Sequence, residues 1–278
     1  MKKILALVIA LILACSCATM LASCAKTPNV IGVQAGTTGE YFVNGDESWG
    51  FDGLEGYEAK GYSNGGLAVA DMKNGAVKYV IIDKAPAIQL AKSISGIKVI
   101  DFNLTEETYA FGVDKAQSDL LNSINEILET KQDAIKAIID KYATGEGIVA
   151  IESAKKDLNK ADKQLVIATN AAFAPFEYKE GNKFAGIDIE IMKLVADELG
   201  LELVVEDMEF DSVVTSVGKN GIDVAAAGLS VNEDRAKSVN FTNSYYDAAQ
   251  VLVVLDTCTD FDACKSADDV IAKLSETK

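Results

Sequence analysis

Residues 165–206 read LVIATNAAFAPFEYKEGNKFAGIDIEIMKLVADELGLELVVE. Leu165 to Ala168 is an apolar run of strand length. From Asp188 to Leu199 the apolar residues Ile189, Met192, Leu194, Val195 and Leu199 recur at helical spacing and form one face of an amphipathic helix. Leu201 to Glu206 is again a strand. A strand, a helix and a second strand in direct succession are the unit of a parallel sheet with helices on its faces.

The same alternation extends in both directions. Downstream, Ser212 to Gly218 reads as a helix, Ile222 to Ala227 as a strand, Tyr246 to Leu255 as one long strand and Ala267 to Leu274 as a final helix. Upstream, Val30 to Val33 is a β-branched strand that ends in the small-residue turn Gln34-Ala-Gly-Thr-Thr-Gly39. A helix over Gly65 to Lys73, stopped at Gly75, leads to a buried strand over Val77 to Ile82 with Asp83 just beyond it. Lys84-Ala85-Pro86 opens the next helix, where proline is tolerated in the first turn. Ile97 to Phe102 and Thr108 to Val113 are further strands. Ser118 to Tyr142 carries Leu120, Leu121, Ile124, Ile127, Leu128, Ile135, Ile138 and Ile139 at helical spacing, as two helices broken near Gln132. Residues 145–163 are a charged connector, helical in part. Two α/β series predict two lobes.

Composition narrows the chemistry. Asp and Glu outnumber Lys and Arg by 42 to 26 in 278 residues, a formal charge of −16. Such a surface repels phosphate backbones and excludes nucleic acid as a partner. The sequence has no His, so the commonest general base and zinc ligand is missing, and no metal or other cofactor is expected. Residues 1–24 read as a secretion leader: Lys2 and Lys3, an apolar run from Ile4 to Leu13 too short for a comfortable span, then Leu21-Ala22-Ser23-Cys24. Small residues before a Cys resemble the lipobox of bacterial lipoproteins. That resemblance makes Cys24 the lipidated mature N-terminus and puts the protein on the outer face of a bacterial membrane. Of the two cysteines beyond the leader, Cys258 and Cys264, close spacing in an exported compartment suits a disulfide; two free thiols are the alternative.

Several motifs resemble the family 3 solute-binding proteins of bacterial amino-acid importers. They are Ala168-Thr-Asn-Ala-Ala-Phe-Ala-Pro-Phe-Glu177, Phe184-Ala-Gly-Ile-Asp188, Met208-Glu-Phe-Asp-Ser212, Ala226-Ala-Gly-Leu-Ser230, Glu233-Asp-Arg235 and Val239-Asn-Phe-Thr-Asn-Ser-Tyr-Tyr246. A second block, Ile31-Gly-Val-Gln-Ala-Gly-Thr-Thr-Gly39 with Ile81-Ile-Asp-Lys-Ala-Pro86, resembles the start of the family's second half. Here the second half precedes the first. The resemblance therefore implies a type II periplasmic-binding fold, two α/β lobes on a two-strand hinge, in circularly permuted order. The small lobe is expected at 30–108 with 255–278, the large lobe at 109–254 including the connector 145–164, and the crossovers near 104–110 and 252–258. A monomer is expected; a swapped dimer is the alternative.

The function the resemblance implies is capture of a free amino acid and its delivery to an ABC transporter permease by hinge closure. A zwitterion needs a cation with donors for its carboxylate and an anion for its ammonium. Arg235 suits the first, since its planar fork binds both oxygens and every other cationic side chain is Lys; a surface ion pair with Glu233 or Asp234 is its bland alternative. Asp83, at the C-terminal end of a buried strand, suits the second, or else caps the following helix. Thr37, Thr38, Gly228 and Ser230 would add hydroxyl and backbone groups, or serve only as turn residues. Phe173 and Phe210 resemble the family's aromatic walls, though aromatic residues are more often core. Asn170 stands where relatives taking basic amino acids or glutamine are often acidic, which weakens the case for a cationic side chain, and Gln34 reaches the ligand from the small lobe. The ligand is expected to be polar. Two other readings compete. One is a secreted enzyme resembling cyclohexadienyl dehydratases, with Glu177 as its carboxylate; the other is a ligand-binding sensor module.

Overall fold

The computed structural model of the protein describes residues 29–276. The leader over 1–24, with Cys24, lies outside the described residues. The chain opens with β1 (Val30–Gln34), α1 (Thr38–Asn44), β2 (Glu58–Tyr62), α2 (Gly65–Lys73), β3 (Tyr79–Asp83), α3 (Lys84–Ser93) and β4 (Ile97–Ile100). β3 is buried along its whole length, as a strand covered on both faces must be. β2 is a half-exposed edge strand, Glu-Ala-Lys-Gly-Tyr, whose polar sequence carries no apolar signal.

The chain continues through β5 (Glu107–Tyr109) and β6 (Gly112–Asp114) to two amphipathic helices, α4 (Ser118–Thr130) and α5 (Gln132–Thr144), which meet at Lys131. Residues 145–157 have no regular helix, and a short 3-10 turn over 158–163 leads into β7 (Gln164–Thr169). A three-stranded meander follows, β8 (Ala172–Phe173), β9 (Glu177–Glu180) and β10 (Lys183–Ala185). Then come α6 (Ile187–Leu199), β11 (Glu202–Asp207), α7 (Phe210–Ser216), β12 (Val224–Ala225), α8 (Glu233–Ala236), β13 (Val239–Phe241), β14 (Tyr246–Ala248), β15 (Gln250–Leu255) and α9 (Ala267–Glu276).

Two five-stranded sheets result, in the orders β2-β1-β3-β15-β4 and β11-β7-β12-β6-β13. The topology is the same in both. The first three strands run parallel, and the fourth lies antiparallel to both its neighbours. Each antiparallel strand is supplied by a segment arriving from the other sheet, β15 in the first and β6 in the second. The two connecting segments run side by side as the β5–β14 ribbon. This is the type II periplasmic-binding arrangement of two α/β lobes on a two-strand hinge.

Alternate residues of each sheet point to opposite sides, and the core follows that rule. Ile31, Val33, Ile81, Leu252 and Val254 pack with Val270 and Leu274 of α9 on one side of the first sheet. Val80, Ile82, Val251 and Val253 face the other way, into a cluster that continues through Tyr109, Phe111 and Phe176 to Ile167, Val205 and Val224 of the second sheet.

The structure corrects three expectations. Tyr246 to Leu255 is two strands, because Ala249 separates β14 in the ribbon from β15, which is buried in the first sheet from Gln250 to Val254. The second crossover consequently lies before β15 rather than at 252–258, and a large-lobe boundary at 254 falls inside the first sheet. Thr108 to Val113 is likewise two strands, one in the ribbon and one in the second sheet. Cys258 and Cys264 are free thiols, not a disulfide. Each packs against the apolar cluster beneath α9, across successive tight turns closed by Cys258 N–H to the Leu255 carbonyl and Cys264 N–H to the Phe261 carbonyl.

Candidate functional site

The cleft between the sheets is assembled from strand ends. β1 ends at Gln34, which is 2% exposed, and the turn after it presents Thr37 and Thr38 at the start of α1. β3 ends at Asp83. From the second sheet, β7 leads to Asn170 and Phe173, β12 leads to Gly228 and Ser230, α7 starts at Phe210, and α8 carries Arg235. Gln34, Thr37, Thr38, Asp83, Phe173, Phe210, Gly228, Ser230 and Arg235 line one cavity of about 10 Å3. Asn170, the remaining expected residue, touches the group as the acceptor for Gln34 Nε2 at 3.1 Å. The volume is about that of one water, so the lobes stand shut and an amino acid could enter only as they part.

Arg235 is the sole arginine of the sequence and is buried to 9% exposure. Burial draws its guanidinium down to about 10, against the opposing charges of Glu107 and Asp83. Its side chain does not pair with Glu233 or Asp234; Asp234 binds Lys237 instead. The fork donates to the Ser230 carbonyl at 2.9 Å and, across the cleft, to the Gly36 carbonyl at 3.1 Å. Trp49 and Phe210 flank it, with ring centroids 5.0 and 5.3 Å from its central carbon. Gly36 is at φ +73°, and a Cβ there would lie 2.2 Å from an Asp211 carboxylate oxygen, so the turn admits only glycine without rearrangement.

Asp83 makes no capping hydrogen bond to α3. Its carboxylate faces the cleft and accepts the Tyr109 hydroxyl. Burial, reinforced by the charge of Glu107, pushes it up to about 7. Thr37 Oγ1 donates back to the Gln34 carbonyl at 2.8 Å and so holds the turn. Thr38 does more: it donates to Glu107 at 2.5 Å and lies 3.2 Å from Ser230 Oγ.

Glu107 escaped the sequence analysis, since it lies just ahead of the strand expected over Thr108 to Val113. Its position on the hinge ribbon makes it a junction. One oxygen accepts the hydroxyls of Thr38 and Ser230, from opposite lobes, each at 2.5 Å. The other accepts Thr105 at 2.6 Å and Gln250 Nε2 at 3.1 Å. Asp188 was legible only as the first residue of a helix. Fully buried, it accepts the Gly228 N–H at 2.9 Å and the Tyr245 hydroxyl at 2.5 Å, and burial raises its carboxyl to about 7. It thereby fixes the glycine loop behind the cavity. Gly228 itself is at φ +54°, where a Cβ would come within 2.8 Å of the Phe173 ring. Glu177 is fully buried, is not among the cavity-lining residues, and is driven well above the usual carboxylate range by burial.

Among the described residues, no group of three or more His, Cys, Asp or Glu could hold a metal, and no helix is long and apolar enough to cross a membrane.

A closed cleft thus lies between two topologically equal lobes, with a buried cation on one wall and a buried carboxylate on the other. Residues 165–276 match the model described as bacterial extracellular solute-binding proteins, family 3. An arginine-binding extracellular protein of Bacillus subtilis is 34% identical over 38% of this chain and 42% of its own length. An L-arginine-binding protein of Pseudomonas aeruginosa is 31% identical over 31% of this chain and 34% of its own. The chain thus spans less than half the length of these curated relatives. Among solved structures, the arginine-bound domain 1 of TmArgBP is 28% identical over 44% of this chain and 99% of that chain, with a TM-score of 0.31.

Proposed function

We propose that the protein binds a free amino acid in the cleft and delivers it to an ABC importer. The observation that carries this reading is the placement of Arg235 and Asp83 on opposite walls of one cavity, both buried. A buried unpaired charge is costly, and two of opposite sign, on walls that can part, suit a ligand that bears both. The names of the relatives, arginine- and histidine-binding proteins, support the amino-acid class. They are named as binding proteins, and the catalytic role weighed for Glu177 finds no support in its position outside the cavity.

On this reading Arg235 and the backbone N–H groups of Thr38 and Ser230 take the carboxylate, Asp83 takes the ammonium, and Phe173 and Phe210 flank the side chain. Hinge closure on the β5–β14 ribbon shuts the cleft, and the ligand acts by favouring the closed form. The two family halves stand in reversed order in a single monomeric chain. α9 and β1 share one apolar cluster, so the segments that adjoin in the family's usual order remain neighbours in space. The protein is held outside the cell by a lipid on Cys24. Thermal unfolding of the full-length protein in detergent, against each free amino acid, tests the reading. A ligand at about 100 times its dissociation constant adds roughly 2.7 kcal/mol to stability. The absence of a shift with every amino acid, from a folded sample, would end it.

A further inference from the structure

One end of the cavity holds a hydrogen-bond relay whose direction is set by the backbone. The Met208 carbonyl can only accept, and Asn170 Nδ2 donates to it at 2.8 Å. Asn170 Oδ1 is therefore an acceptor and receives Gln34 Nε2 at 3.1 Å. This orients the Gln34 amide without ambiguity. Both amide nitrogens have partners, whereas Gln34 Oε1 is buried with none among the described residues. A buried acceptor left unmade is unfavourable by about 1–3 kcal/mol, and Gln34 lines the cavity.

The charges nearby are already committed. Asp207, on the strand end next to Met208, accepts the Ala171 N–H at 2.8 Å and pairs with Lys179 at 2.5 Å. Among the described residues, Asp83 and Arg235 are the only charged ones that line the cavity, and they match the two charges common to every amino acid. A side-chain carboxylate here would set its oxygens against Gln34 Oε1. A side-chain cation would be buried with no anion of its own.

We propose that the ligand's side chain ends in a neutral N–H donor, a primary carboxamide, and that Gln34, held in register by Asn170, selects it. The inference rests on the amino-acid reading above. A site built to hydrogen-bond a group rejects analogues lacking it far more strongly than an apolar pocket does.

The test is calorimetric titration of the full-length protein in detergent with glutamine, asparagine, glutamate, arginine and alanine. Glutamine or asparagine is expected to bind tightest, with glutamate at least about 100-fold weaker and arginine at least about 10-fold weaker. In Gln34→Leu the carboxamide-over-glutamate preference should fall below about tenfold. Gln34→Glu, which keeps the shape and turns the acceptor anionic, should move the preference towards arginine. Tightest binding of glutamate, arginine or alanine by the unmodified protein overturns the carboxamide assignment and leaves the amino-acid reading standing. A carboxamide preference that survives in both variants overturns the role of Gln34. No binding of any of the five overturns the carboxamide assignment, and the unfolding test against every free amino acid then decides the reading itself.

Discussion

β3 and β12 occupy the same third place in two sheets of identical topology, yet they end differently. β3 runs Tyr-Val-Ile-Ile-Asp and carries its charge at the strand end, as the buried Asp83. β12 is only Val224–Ala225, and Ala226, Ala227 and Gly228 follow with no charge at all. The second lobe offers backbone groups there and brings its charge from α8, as Arg235. One architecture used twice thus puts an anion on one wall and a cation on the other. On the proposed reading, the difference between equivalent positions, rather than the shared fold, is what suits the cleft to a zwitterion.

That contrast can be broken one wall at a time. Arg235→Ala should have the largest effect. Removing one partner of a buried charge pair typically costs about 2–5 kcal/mol of binding, so amino-acid affinity measured by calorimetry should fall at least about 30-fold. Retention of full affinity would remove the second lobe from the account.

The opposite wall is probed by pH. Burial holds the Asp83 carboxyl near 7 in the free protein, so below that pH a proton must leave before the ammonium can pair with it. Affinity should weaken about tenfold for each pH unit below 7, and Asp83→Asn should abolish that slope while weakening binding at neutral pH. Stability of the free protein runs the other way. The raised carboxyl contributes stability that is fully present below its unfolded value of about 4 and is lost as pH rises through about 7.

Between the walls, Glu107→Gln sharpens the comparison by loosening the junction that joins them. It weakens two charge-assisted hydroxyl contacts from opposite lobes. Ligand dissociation in stopped-flow should speed up by about 10-fold, in keeping with about 1.5 kcal/mol for a hydrogen bond to a charged group.

The sequence made the paired α/β series legible because buried parallel strands and amphipathic helices write strong periodicities, as in residues 165–206. It located every cavity-lining residue through strand ends and family motifs. What it could not show were features set by long-range geometry. The polar edge strand β2 has no apolar pattern. Tyr246 to Leu255 is continuous in hydropathy, although its two halves belong to different sheets. Glu107 joins partners 69 and 123 residues away, and no local spacing marks such a residue. Cys258 and Cys264 were close enough in sequence to suggest a bond, but the turns between them direct each sulfur to the core. The smallest effect follows from those thiols: a reductant should shift the melting temperature of the full-length protein by less than about 1 °C, since no disulfide joins Cys258 and Cys264.

The central claim is that the two walls read the two charges of one zwitterion. The direct measurement is calorimetric titration with the best-binding amino acid, its α-amide and its N-acetyl derivative. The account predicts that each modified compound binds at least about 30-fold more weakly than the parent, because each leaves one buried charge, Arg235 or Asp83, without its partner. Equal binding of either derivative would contradict it.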